Sequence, residues 1–306
     1  RSRAPDPADS FQYQPTLRET LSQVTSTDTK VSHGSRHTSI RLDIEGMRAI
    51  AIALVLVYHA GVQQLPGGFV GVDVFFVISG FLITGLLIRE LERDRKISLT
   101  RFYARRAKRL LPATGVVLAA TTVLTWLTIS VVDWRDFGLD IIASALYVVN
   151  WQLAHRSVDY LAEDVGLSPV QHFWSLAVEE QFYIVWPLLL AVLAWSLKRR
   201  RSVNVRRPMS VAIALLIIVS FASSIYFTSD DPARAFFITP TRLWELGIGA
   251  AVAIGTTWWP KIPSAIASGL GWIGLGFVAL SGLIFDASTA WPGYAALAPT
   301  LGTAAM

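Results

Sequence analysis

The chain has 306 residues, 53% of them apolar and 16% charged, and its mean hydropathy of +0.46 is well above that of an ordinary soluble domain. The formal net charge of +5 is concentrated in two loops, a pattern that argues against a nucleic-acid partner and for the positive-inside rule of membrane proteins. With no cysteine in the sequence, disulfides, thiolate metal ligands and a cysteine nucleophile are excluded.

Residues 1–40 are polar and rich in Ser, Thr, Pro and Asp, the composition of a disordered tail. They lack the apolar core of a signal peptide and are expected on the cytoplasmic side. Residues 41–306 are expected to form one transmembrane domain. A membrane crossing takes about 20 mostly apolar residues. Stretches of that kind fall at 46–65, 69–88, 111–132, 174–197, 209–227, 241–259 and 266–285, and another begins near Tyr294. The expected fold is therefore an all-α, polytopic transmembrane helical bundle with about 8–9 spans. The sequence does not begin with Met and stops inside an apolar run, so a longer protein, cut at its C-terminal side, is expected.

Two basic loops, 89–109 and 198–207, set the orientation, since both belong on the cytoplasmic side. An even number of crossings must separate them. The segment 140–154 is apolar but short, and it is expected to be a re-entrant or interfacial piece. The N-terminus then lies inside, in a multi-pass protein of the inner or plasma membrane.

Ionisable residues within spans are costly, about 2.5–3.5 kcal/mol each, and mark functional candidates. The first span holds Arg48 and His59. Eleven helical steps of about 100° place them on one stripe, about 16 Å apart along the axis, with His59 in the outer half. The second span opens Gly67-Gly68-Phe69-Val70-Gly71-Val72-Asp73 and continues to Ser79-Gly80-Phe81. Its glycines suit close helix packing, whereas Asp73 and Ser79 commit polar groups to membrane depth. A third block, His172-Phe173-Trp174-Ser175-Leu176-Ala177-Val178-Glu179-Glu180, opens a later span. His172, Ser175 and Glu179 share one face at helical spacing. A carboxylate from this block, level with His59, would orient the imidazole and stabilise its protonated form. On the inner side Arg101, Arg105 and Arg109 recur every four residues, with Arg106 beside them. Such a basic edge recognises phosphates or contacts anionic lipid.

These blocks, in this order, resemble the acyltransferase-3 family of membrane acyltransferases. The resemblance extends from residue 41 to 306 and includes Thr239-Pro240-Thr241-Arg242-Leu243-Trp244-Glu245 and Trp291-Pro292-Gly293. Glu45 and Met47 stand where the family commonly has Asp and Leu. The resemblance implies an O-acyltransferase that moves an acyl group from cytoplasmic acyl-CoA to a hydroxyl of a cell-envelope glycan or glycolipid. Acetyl is the first expectation for that group and succinyl the second. It also implies His59 as the main catalytic residue, with Glu179 and Arg48 as its partners. Arg101, Arg105, Arg106 and Arg109 would hold the CoA phosphates. Asp73, Ser79, Glu180, His172 and Ser175 would support substrate and structure. No metal is expected. Relatives with the late Trp-containing blocks often carry an SGNH domain after the last span. The alternatives from other classes are a transporter or flippase of an envelope precursor, since charged residues also line transport paths, and a non-enzymatic scaffold.

Overall fold

The computed structural model describes residues 41–157, 168–199 and 206–306. The expected tail at 1–40 and part of the second basic loop, 200–205, lie outside the described residues. Among the described residues the chain is all-helical, without a strand.

Helix α1 spans Leu42–His59, with Asp43 and Glu45 in its first turn, where carboxylates complement the helix dipole. It ends at Gly61, whose φ of +72° lets Val62 N–H reach back to the Val57 carbonyl at 3.4 Å. Only glycine adopts that left-handed backbone without cost. A single 3-10 turn, Gly68–Val70, leads into α2, Gly71–Asp94. Helix α3 covers Leu99–Thr128, so the basic stretch and the following span form one rod of about 45 Å, continuous through Pro112.

The short segment before the third block is two helices, α4 (Trp134–Ala145) and α5 (Val149–Arg156). They break around Tyr147, which has a positive φ of 56°. Neither is long enough to cross a bilayer. Arg156 staples the pair by two bonds of 2.9 Å to the Asp140 carboxylate. Then come α6 (Phe173–Arg199), α7 (Arg206–Asp230), α8 (Pro232–Phe237), α9 (Leu243–Ile254), α10 (Ser264–Ile284) and α11 (Leu297–Ala305).

Five of the described helices are long and apolar enough to cross a membrane, within Gly68–Asp94, Leu99–Thr128, Phe173–Ser196, Arg206–Asp230 and Ser264–Ile284. That is fewer than the eight or nine read from hydropathy. The reason is local: α1 has 18 residues and carries Asp43, Glu45 and Arg48, α9 has only 12 and α11 only 9.

Helices α2 and α9 form the centre. A Cβ on Gly80 would overlap the Leu246 carbonyl oxygen, and one on Gly249 would overlap that of Val77. The two backbones are therefore in direct contact, the approach that small residues permit between membrane helices. Around them Phe76, Leu87, Trp174, Phe182, Trp186 and Leu246 fill one core. Ala51, Leu54, Val74, Trp244 and Trp291 fill a second, beside α1 and α10. Large apolar side chains such as Leu124, Ile218 and Ile273 lie exposed on the outer faces of α3, α7 and α10, as a bundle solvated by lipid requires.

Candidate active site

His59 is the last residue of α1 and its side chain is exposed. Its Nδ1 lies 2.8 Å from the Val55 carbonyl oxygen. A carbonyl can only accept, so Nδ1 carries the proton of the neutral ring and Nε2 is left with its lone pair. Tyr58 packs edge-on against the ring at 5.3 Å. His172, in the turn just before α6, feels the His59 imidazole electrostatically. Partial desolvation, and then that nearby imidazole, hold His172 below the ordinary histidine pKa. The His172 ring tilts onto Phe173 at 4.9 Å, and its carbonyl accepts a bond from the Ser175 hydroxyl at 3.4 Å.

The expected carboxylate behind His59 is differently employed. Glu179 accepts a bond from the Tyr183 hydroxyl at 3.1 Å and one from Ser79. It sits about two helical turns, roughly 10 Å, along α6 from His172. The orienting group of the His59 ring is a backbone carbonyl, and among the described residues the charged partner of Glu180 is Arg106. Arg48 is likewise engaged at its own end of α1, with Glu45 at 3.1 Å, and its guanidinium does not meet His59. The shared stripe holds, but the axial separation keeps the two apart.

The basic edge divides in two. Arg101, Arg105 and Arg109 are exposed, and Arg105 makes a long contact of 3.8 Å to Glu90. Arg106 turns inward. It binds both oxygens of Glu180 and lies 3.6 Å from the Tyr183 ring centroid. Beside this pair is a cavity of about 200 Å³, lined among others by Tyr103, Tyr147, Tyr183 and Leu110. It opens between α3 and α6, where the basic part of α3 gives way to its apolar part.

Asp73 is only 1% exposed and pairs with Arg242 at 2.9 Å. Arg242 also binds Glu245 at 3.1 Å. Sequence reasoning named neither Arg242 nor Glu245 as a site residue, although both stand in an apolar run and intramembrane charge was the available signal. It also missed a polar knot in which Gln181 donates to Asn150 at 2.8 Å, Asn150 donates to Thr239 at 3.0 Å, and Thr239 donates back to Gln181. This knot pins α5 to α6 and to the turn before α9.

Comparison with known proteins bears on what this arrangement serves. Residues 41–306 match the model of the acyltransferase-3 family, described as an acyltransferase domain. The O-acetyltransferase OatA of Staphylococcus aureus strain NCTC 8325 / PS 47 is 39% identical over 250 residues, which are 79% of this chain and 40% of OatA. A second Staphylococcus aureus protein, from strain COL and provisionally named an O-acetyltransferase, is 41% identical over 212 residues, 69% of this chain and 34% of its own length. The chain thus spans well under half the length of these relatives. No solved structure matches it significantly. An all-α membrane bundle with an imidazole at one end and a basic helix at the other is matched from residue 41 to the last, and the chain belongs to the acyltransferase-3 family.

Proposed function

We propose that the chain is a membrane O-acetyltransferase that uses acyl-CoA, acetyl-CoA first, to esterify a hydroxyl of a cell-envelope glycan or glycolipid. OatA, the relative at 39% identity, is named an O-acetyltransferase. The observation that carries the reading is the His59 ring, held by Val55 through Nδ1 with Nε2 unengaged among the described residues. This is the tautomer a general base needs.

In the reaction Nε2 takes the proton of the acceptor hydroxyl while its oxygen attacks the thioester carbonyl. The C–S bond breaks, and the proton now on Nε2 passes to the leaving CoA thiolate, which restores the neutral ring. Alternatively Nε2 attacks the thioester carbonyl and expels CoA as the thiolate, and the acceptor oxygen then displaces the ring from the acyl carbon, its proton passing to the thiolate. The exposed Arg101, Arg105 and Arg109 would bind the donor's phosphates, as guanidinium groups do. With α3's basic end and the N-terminus in the cytoplasm, the donor approaches from inside and the acceptor from the His59 side. The protein then belongs in the plasma membrane.

The test is transfer of labelled acetyl, and separately succinyl, from the CoA thioester to an O-deacetylated envelope glycan by the purified chain in vesicles. Ester formation with acetyl-CoA exceeding that with succinyl-CoA is expected. No ester with either donor would remove the proposal.

A further inference from the structure

Three charged side chains lie sealed in the interior, on elements that do not carry His59. Asp73 is in the first turn of α2, Arg242 immediately precedes α9, and Glu245 is in the first turn of α9. Each is at most 1% exposed. One nitrogen, Nη1 of Arg242, donates to Asp73 Oδ1 at 2.9 Å and to Glu245 Oε1 at 3.1 Å, while Nε donates to the Phe236 carbonyl at 3.2 Å. The other two carboxyl oxygens, Asp73 Oδ2 and Glu245 Oε2, are buried without a partner among the described residues. The two carboxyl groups are themselves within hydrogen-bonding reach.

Charge counting constrains this cluster. One guanidinium facing two carboxylates leaves a net −1 in apolar surroundings, and an uncompensated buried charge costs several kcal/mol. Buried groups respond by neutralising. Two carboxyls in contact do so by sharing one proton, which here also supplies a donor for a carboxyl oxygen that otherwise has none.

The cluster has a path to the His172 turn. The Arg242 guanidinium lies 5.2 Å from the Trp174 ring centroid and 5.0 Å from that of Phe236. Trp174 is wedged further by Phe236 at 4.9 Å, Phe237 at 5.7 Å and Phe76 at 6.0 Å. Trp174 stands two residues after His172, in the opening turn of α6. A cation held over the indole face therefore fixes the opening turn of α6, which His172 immediately precedes.

We propose that Asp73, Arg242 and Glu245 form a one-proton cluster that positions His172, at the opening of α6, by clamping Trp174. It rests on the reading of His59 as the reacting imidazole. The three are positioning residues and touch neither substrate.

The experiment is a double-mutant cycle on acetyl transfer in vesicles, with unfolding midpoints in detergent for every variant. Arg242→Lys keeps the charge and loses the planar fork and its stacking. It is expected to lower kcat by up to about 100-fold, the scale of a small misplacement, with the donor KM unchanged. In a His172→Gln background the same substitution is expected to cost nothing further in kcat, because its effect passes through residue 172. Independent, multiplying losses would overturn the proposal, as would a folded Arg242→Lys variant with wild-type kcat. Glu245→Gln leaves one ionised carboxylate opposite Arg242 and should retain more kcat and a higher midpoint than the Asp73→Asn/Glu245→Gln double variant. Equal losses in the two would refute the single shared proton. The midpoints report on the cluster even if the His59 reading fails, which full transfer by a His59→Ala variant would reveal.

Discussion

The His59 end and the Arg242 cluster are opposite ways of placing ionisable groups in one bundle. His59 is exposed, is held by one backbone carbonyl, and keeps a nitrogen unengaged among the described residues. Arg242 is sealed, grips two carboxylates and a carbonyl, and lies against two aromatic faces. A group that exchanges protons with a substrate has to stay incompletely satisfied. A group that holds helices together must be satisfied, because a buried charge stripped of its partner destabilises by several kcal/mol.

Substitutions can break this contrast from either side. The largest effect is expected at His59. His59→Ala should reduce acetyl transfer by about 10²–10⁴-fold, the contribution of a positioned acid–base group. Its unfolding midpoint should stay near wild type, since only one hydrogen bond at a helix end is lost. Arg242→Ala should do the reverse in character. Leaving Asp73 and Glu245 unpaired should cost about 3–5 kcal/mol, read as a large fall in the unfolding midpoint or as loss of folded protein. Gly249→Ala forces a Cβ into the Val77 carbonyl, and overpacking of that kind costs about 1–3 kcal/mol with no polar group changed.

The smallest effect concerns pH. His172 is held below its ordinary value of 6.5 by desolvation and then by the neighbouring imidazole. Between the two values the unfolded chain binds more protons than the folded one, so stability rises with pH. On acidification below 6.5 the wild type should therefore lose stability more steeply than His172→Gln, and matching slopes would contradict this reading.

Much of the fold was legible because lipid imposes one simple demand, an apolar run of fixed length. The long helices around 69–94, 173–196, 206–230 and 264–284 follow from that alone. Hydropathy runs and helices differ at their ends: α1 includes Asp43 and Glu45, and α9 gives way to 3-10 turns after Ile254. It also separated the Arg-rich stretch from the next span, although Pro112 sits within a single continuous helix.

The candidate site was legible at the level of residue types and obscure at the level of partners. Helical periodicity put Arg48 and His59 on one stripe, and that geometry itself keeps them apart. The inward turn of Arg106 depends on Glu180, 74 positions later, and no periodicity along α3 separates it from Arg105 or Arg109. The pairing of Asp73 with Arg242 bridges 169 positions and needs α2 and α9 to touch at Gly80 and Gly249. Long-range pairing of this kind lies in packing rather than in any local pattern.

The His59 ring is expected to offer Nε2 as a proton acceptor because the Val55 carbonyl holds the proton on Nδ1. Nitrogen-15 spectroscopy of histidine-labelled protein in lipid, with residue 59 assigned by comparison with a His59→Gln variant, reads that tautomer directly. At a pH where the ring is neutral, the predicted result is a protonated Nδ1 and a bare Nε2. A proton found on Nε2 would contradict it.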